Sequence, residues 1–424
     1  MSSLRAGPAR STLAAEQTPF AAVIQHWRVV LAAMLGWVLD AFDQMILIFL
    51  LVRLRDTFAV DLVAMGLLLS VSTYSKIAGN IGWGLASDRW GRKTAFMVGV
   101  VWFSVFSGLT GLAWSYASLF VIRVLFGFGF GGEWSASAAL LMESVPPQAR
   151  SLASAIMMAG FEIGYFMAAA ANAVIAPRFG WRILFFIGIL PALLTIFIRR
   201  GVPESPVWLR TRGRRDAGPR PRFRLTAAAI QGWVFMMVLQ FQNTAIFTFY
   251  PAFLQTVRHM SPMQVFPYAA TYSVASIVGK PVIGLLAARF GQRATSVTYL
   301  LVSIPAAIFF TLVGSTAGLF LGAALMGVVA NSIFGLVPAF LSRRFPSAHR
   351  SFGMGFGYAV AGAGGSVAAL AVPLLGRSIG LGTSMAVWII AGSAVAAIVA
   401  AIRPRHLPGD VMETETATPD HVPA

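Results

Sequence analysis

The sequence predicts an all-α membrane protein of twelve transmembrane helices arranged as two six-helix bundles. Three observations carry this expectation. Of the 424 residues, 57% are hydrophobic and only 11% charged, and the mean hydropathy of +0.75 is far from that of a soluble domain. Apolar runs of about 18 residues or more recur along the chain, each long enough to cross a bilayer. The polar turn Gly84-Leu85-Ala86-Ser87-Asp88-Arg89-Trp90-Gly91-Arg92-Lys93 returns 200 positions later as Gly284-Leu285-Leu286-Ala287-Ala288-Arg289-Phe290-Gly291-Gln292-Arg293. Pro146 and Arg150-Ser151 repeat as Pro346 and Arg350-Ser351 with the same offset. Two features sharing one offset imply equivalent halves in parallel orientation.

The spans are expected at roughly 28–52, 63–87, 94–113, 117–145, 152–175, 181–198, 229–254, 264–287, 294–313, 317–341, 352–375 and 383–402. Most Lys and Arg residues then fall on one side, nine of them between 199 and 224. The opposite side holds Arg53, Arg55, Arg178, Arg182, Arg258 and Arg377. This skew places both termini in the cytoplasm. The implied organisation is a cytoplasmic tail over 1–25, without a signal-peptide pattern, and a bundle over 26–198. An Arg-rich cytoplasmic linker over 199–225 follows, then a bundle over 226–403 and a cytoplasmic tail over 404–424. The linker arginines either contact anionic headgroups or act as a solvated orientation signal.

Composition also excludes chemistry. The chain has no Cys and five His, at 26, 259, 349, 406 and 421, all at span ends, in loops or in tails. No nucleophile–base pair or metal-ligand cluster is readable, so no enzyme, cofactor or metal is expected. A net charge of +17 would point to nucleic acid in a soluble protein. Here the cations lie between spans, so the partner is the bilayer. Gly127, Gly129, Gly131 and Gly132 follow no strand and lie in an apolar helix, which marks close helix packing rather than a nucleotide loop.

The turn at 84–93 resembles the helix 2–3 loop of the major facilitator superfamily. The second copy is degenerate, with Ala288 and Gln292 where the first has Asp88 and Arg92. Trp37-Val38-Leu39-Asp40-Ala41-Phe42-Asp43 resembles the sialate:proton symporter family, which includes monocarboxylate carriers, and less closely the aromatic-acid:proton symporters. The run from Arg123 through Gly127, Gly129 and Gly132 to Glu133 continues that likeness, as does Pro203-Glu204-Ser205-Pro206-Val207-Trp208. The resemblance implies the major facilitator fold. It also implies that Asp88 sits against the N-terminal end of helix 11 near Gly353–Gly355, in a cytoplasmic gate with Gly84, Arg89, Gly91 and Arg92. Glu143 is expected to pair there with Arg89 or Arg92.

Ionisable groups within spans are Asp40, Asp43, Lys76, Arg123, Glu133, Glu162 and Lys280. Each costs about 2.5–3.5 kcal/mol at a helix centre unless it faces a cavity or a partner. Hairpin geometry puts Lys76 level with Asp40, and Asp43 near the depth of Arg123. Glu133 and Glu162 share a depth, as a second acid pair or with Glu133 hydrogen-bonded locally. The expected division has Asp43 carrying the proton and so releasing Arg123 to help hold the incoming anion, with Asp40 held ionised by Lys76; a static ion-pair network is the alternative. Lys280 is level with Gln240, with Asn243 nearby, a set suited to a carboxylate; its alternative is to snorkel to the surface.

The expected function is proton-coupled uptake of a small organic anion, such as a monocarboxylate, by a monomer in the bacterial inner membrane. A uniporter or exchanger, and a proton-driven exporter of amphipathic compounds, are the other readings.

Overall fold

The computed structural model describes residues 18–60, 62–215, 223–260, 262–404 and 407. Most of the two expected tails and the middle of the Arg-rich linker therefore lie outside the described residues.

The first half comprises α1 (Trp27–Phe58), α2 (Leu62–Trp90), α3 (Arg92–Gly111), α4 (Tyr116–Ser144), α5 (Arg150–Val174) and α6, which is split into Arg182–Ile187 and Pro191–Gly201. The second half comprises α7 (Ala227–Asn243), α8 (Pro262–Phe290), α9 (Gln292–Leu312), α10 (Thr316–Met326), α11 (Arg350–Ile379) and α12 (Leu381–Ala401). A π-turn at Thr244–Thr248 carries α7 on to Phe249–Thr256, and another at Gly327–Asn331 carries α10 on through Val337–Ser342. Nine helical stretches among the described residues are long and apolar enough to cross a membrane. The other three expected spans are α2, the split α6 and the interrupted α7.

The 200-residue repeat is visible in the backbone. Among the described residues six have positive φ, and they form three pairs at that offset: Ala59 and His259, Gly91 and Gly291, Gly180 and Gly380. Each begins or ends a span in the same way in both halves. The Ser115 hydroxyl caps α4 by accepting from Ser118 N, and Ser315 caps α10 by accepting from Gly318 N. Gly84 packs on Ser351 and Phe352, whereas Gly284 packs on Ser151 and Leu152. The two halves are thus related by an approximate two-fold axis, and both polar turns lie at one end of the molecule.

Glycines let the helices approach closely within a bundle. A Cβ on Gly131 would come 2.4 Å from Lys76 O, and one on Gly127 2.5 Å from Ser72 O, so α4 presses directly on the backbone of α2. The apolar core then shows which end is shut. One continuous cluster at the turn-bearing end includes Phe96, Trp134 and Met157 of the first half with Phe235, Phe340 and Met354 of the second. Toward the other end each half has its own cluster, around Phe42, Leu50 and Phe185 and around Tyr250, Phe310 and Ile389.

Candidate functional site

Where the shared core ends, a cavity of about 290 Å³ opens between the halves. Its wall includes Trp37 and Gln44 of α1, Lys76 of α2, Glu162 of α5 and Lys280 of α8. Gln240, Asn243, Thr244, Thr248, Asn331 and Tyr358 complete its polar lining. Three of these side chains come from the π-turns, whose extra residue re-aims side chains: Thr244 and Thr248 from one, Asn331 from the other. A larger cleft of about 740 Å³ lies at the turn-bearing end of the second half, lined by Arg293, Arg343, Arg344 and Arg403. It includes no residue of the first half, so the smaller cavity is the candidate site.

Lys280 is buried and does not reach the surface. Its Nζ lies 2.6 Å from both carboxylate oxygens of Glu162 and donates to Met158 O at 3.1 Å. Glu162 Oε1 also accepts from Asn331 Nδ2 at 2.9 Å and from Ser276 Oγ at 3.3 Å. Asn331 in turn accepts from Asn243 Nδ2 at 3.1 Å. Gln240 and Asn243 line the cavity as expected, but the direct partner of Lys280 is Glu162. The depth match of Glu162 with Glu133 does not become a contact: Glu162 faces across to the second half.

Glu133 instead lies beside Asp40, and both are fully buried. Their four carboxyl oxygens have no hydrogen-bond partner among the described residues. Lys76 feels both acids but forms no ion pair with Asp40 within 4 Å among the described residues. Its ammonium sits in an aromatic cage, 4.0 Å from the Phe130 ring centroid, 5.0 Å from Tyr358 and 5.8 Å from Trp37. The expected direct pairing of Asp40 with Lys76 is therefore corrected: the cage, not the carboxylate, seats the cation.

Asp43 pairs with Arg123 at 3.0 Å and accepts from Ser107 Oγ. Arg123 stacks on Phe126 at 3.8 Å. Neither residue lines the cavity, so Arg123 is not placed to touch a bound anion there. Glu162 is the acid that reaches the cavity wall.

At the turn-bearing end the halves are locked. Asp88 accepts from Ser351 N at 3.3 Å and Phe352 N at 3.0 Å, in the first turn of α11, where the helix dipole favours an anion. This is slightly before the expected Gly353–Gly355. Gly84 permits the approach, since a Cβ there would sit 2.8 Å from Phe352 Cα. Arg92 pairs with Asp88 and Glu143, each at 3.0 Å, and donates to Ser347 O at 2.5 Å. Arg350 pairs with Glu143 at 2.6 Å. Arg89 is exposed, and the partner of Glu143 in this turn is Arg92. Gly91, at φ 111°, starts α3, and Glu204 caps it by accepting from Arg92 N and Lys93 N, both at 3.0 Å. Ser205 Oγ donates to Glu143, tying the start of the linker to the lock.

A family profile described as Major Facilitator Superfamily matches residues 33–279 and 268–419. The chain belongs to the major facilitator superfamily. It is 30% identical over 375 residues to the "Probable 4-methylmuconolactone transporter" of Cupriavidus pinatubonensis (strain JMP 134 / LMG 1197), covering 85% of this chain and 86% of that one. It is 28% identical over 374 residues to the "Sialic acid transporter NanX" of Escherichia coli (strain K12), covering 87% and 92%. The fold matches the structure of the proton:xylose symporter XylE with a TM-score of 0.72 at 17% identity, over 88% of this chain and 94% of that one. The human organic anion transporter MFSD10 matches with a TM-score of 0.72 at 16% identity, over 88% and 99%. As a member of this family the chain is an integral membrane transporter of the twelve-helix fold, not an enzyme.

Several contributors to the site carry no sequence signal of charge. Asn331 and Ser276, which hold Glu162, are neutral, and a search for intramembrane charges passes over them. Tyr358 and Phe130 look like packing aromatics. Arg350 was visible through its 200-residue mirror in Arg150, but nothing in the spacing marks it as the partner of Glu143.

Proposed function

We propose that this protein is a secondary active carrier that takes up a small organic anion, such as a monocarboxylate, together with protons. One observation carries the reading: the cavity between the halves is lined by two lysines, amides and aromatic rings, and by a single acid that is already ion-paired. Such a wall favours a compact anion with an apolar body. Relatives named as transporters of 4-methylmuconolactone and of sialic acid, both organic acids, support that class. Lys76 and Lys280, with Gln240 and Asn243, are assigned to the anion. Of the acids the sequence singles out for proton coupling, Glu162, Asp40 and Glu133, with Lys76, are kept for that role, whereas the buried Asp43–Arg123 pair, which lies off the cavity, is assigned to holding the helices together.

In this reading residues 26–198 and 226–403 are the two bundles, 199–225 is the linker, and the turn-bearing end faces the cytoplasm of a bacterial inner membrane. The ties made by Asp88, Arg92 and Glu143 close the inward side, so the cavity is reached from outside. Alternating access breaks those ties and opens the other path. The protein works as a monomer, since each chain holds a complete cavity.

Reconstitution into liposomes tests the proposal. With an inward-directed proton gradient, benzoate, nicotinate or lactate accumulates above the external concentration and is released by an uncoupler. Uptake that never exceeds equilibration reduces the protein to a facilitator. Outward pumping under the same gradient makes it an exporter.

A further inference from the structure

The carboxylate of Glu162 sits in a fully formed anion site. Three donors converge on it, Lys280 Nζ and Ser276 Oγ from α8 and Asn331 Nδ2 from the π-turn after α10. All three belong to the second half of the chain, whereas Glu162 belongs to α5 of the first. The second half thus carries a carboxylate-binding pocket on the cavity wall, and the first half fills it. We infer that Glu162 is a built-in counter-ion that occupies the substrate's carboxylate site and surrenders it to the transported anion by taking up a proton.

This inference rests on the carrier reading above and adds the exchange step. In the empty state the Lys280 ammonium faces the Glu162 carboxylate. In the loaded state it faces the carboxylate of the ligand, and one carboxyl oxygen of Glu162 holds a proton. One anion and one proton enter together, no covalent bond other than that O–H forms, and the charge of the site is unchanged. Either event alone is costly. An anion without the proton puts two carboxylates on one ammonium. A proton without the anion leaves a buried ammonium unpaired. The exchange therefore couples one proton to one anion.

The same exchange bears on movement. The Glu162–Lys280 pair ties α5 to α8 across the two halves at the cavity wall. Rocking of one half against the other must loosen that tie, and neutralising Glu162 removes its ionic component. The other groups facing Glu162 do not substitute for it. From α8 there is the Tyr272 hydroxyl, and from the opposite wall Lys76, neither of which is a carboxylate. Asp40, Asp43 and Glu133 do not line the cavity.

The test uses the purified full chain with benzoate, nicotinate and lactate as probes, comparing wild type with Glu162→Gln. The amide keeps the shape and the bond from Asn331 but no longer takes a proton. Binding to wild type is expected to weaken about tenfold per pH unit on the alkaline side, the slope for one linked proton. In Glu162→Gln that dependence flattens and binding at pH 7.5 tightens. In liposomes the variant loses proton-driven accumulation and keeps counterflow exchange. Glu162→Asp, which retains an acid, keeps the slope. A wild-type slope in Glu162→Gln, or persistent uphill uptake by it, overturns the inference while leaving the carrier reading intact. Should Glu162→Gln not fold, proton uptake by the wild type on binding in weak buffer decides the matter: one proton per anion is expected, and none overturns it. Wild type that neither binds nor accumulates any of the probes defeats the carrier reading itself, and the inference with it.

Discussion

Arg350 Nη1 lies 2.6 Å from Glu143 Oε1, joining the first residue of α11 to the last turn of α4 across the two halves. The contact breaks the symmetry of the repeat. Arg150 and Arg350 are equivalent, and their Nε atoms donate in the same way, to Met142 O at 3.0 Å and to Ser342 O at 3.1 Å. The position equivalent to Glu143 is Arg343, however, and those equivalent to Asp88 and Arg92 are Ala288 and Gln292. Two homologous turns face each other, but the acids of the lock come from the first half alone. A single buried carboxylate, Glu143, serves both Arg92 and Arg350.

Loss of that carboxylate should open the turn-bearing end. Removing one partner of a buried ion pair costs about 3–5 kcal/mol; here Arg350 loses its carboxylate and Arg92 is left with Asp88 alone. In Glu143→Gln the closed form is expected to yield to the open one. Ser154 of α5 is fully buried against Gly335 of the second half in the closed form, and the chain has no native Cys. Maleimide labelling of Ser154→Cys should therefore be slow alone and at least tenfold faster when combined with Glu143→Gln. Equal rates would show that the lock does not hold the end shut. Asp88→Asn should act in the same direction, because its two backbone bonds to α11 lose their charge.

The pair Asp43–Arg123 should behave as a structural ion pair. It is buried, lies off the cavity and is braced by Ser107 and Phe126. Asp43→Asn is expected to destabilise the purified protein by about 3–5 kcal/mol, by stranding the guanidinium. Asp43→Asn combined with Arg123→Gln should recover most of that loss. Thermal unfolding of the three proteins checks this. A wild-type midpoint for Asp43→Asn would return Asp43 to the role of proton carrier that its place in span 1 first implies.

The fold was legible because its signals are long: apolar runs of membrane-crossing length, and one offset of 200 that aligns two polar turns and two Pro…Arg-Ser stretches. Depth arguments along single helices also placed the ionisable groups at useful levels. They could not say which way each group points round its helix. Lys76 and Asp40 share a level, yet the ammonium turns into the ring cage of Phe130, Tyr358 and Trp37. Glu133 and Glu162 share a level, yet one faces α1 and the other the second half. Contacts between halves, such as Glu162–Lys280 and Glu143–Arg350, join residues more than a hundred positions apart and leave no spacing to read. The π-turn that brings Asn331 to Glu162 has no sequence pattern of its own.

Close packing of α2 on α4 makes a prediction independent of transport. A side chain at Gly131 meets the backbone at Lys76 O and Asn80 N, both 2.4 Å from an added Cβ, and neither atom can swing away. Gly131→Val should force the helices apart and cost at least the 1–3 kcal/mol or so typical of overpacking. Lys76 and Asn80 lie on the displaced stretch, so anion binding should fall along with the thermal midpoint. Gly180, which has no atom within 4 Å of an added Cβ, is the contrast. Gly180→Ala should leave binding unchanged and lower the midpoint only slightly, through its φ of 81°.

The two cavity lysines should separate by what their removal does to stability. Lys76 is held by rings rather than by an ion pair, and it reaches the cavity wall. Lys76→Gln leaves no carboxylate newly stripped of a hydrogen bond, since Asp40 and Glu133 have none to lose. Its expected cost is to anion binding, roughly 1.5–3 kcal/mol, the scale of a hydrogen bond to a charged group. Lys280→Gln removes a contact of the same kind but also strands Glu162, whose other donors are neutral. It should lower both affinity and the thermal midpoint, the latter by about 3–5 kcal/mol in stability. Combining Lys280→Gln with Glu162→Gln should restore the midpoint without restoring affinity, because the pocket then has no charge to offer a carboxylate. Calorimetric binding of benzoate and thermal unfolding on the same four proteins, wild type included, separate these outcomes. If Lys76→Gln lowers the midpoint as much as Lys280→Gln and leaves affinity untouched, Lys76 is a packing element of the ring cage and Lys280 alone anchors the anion.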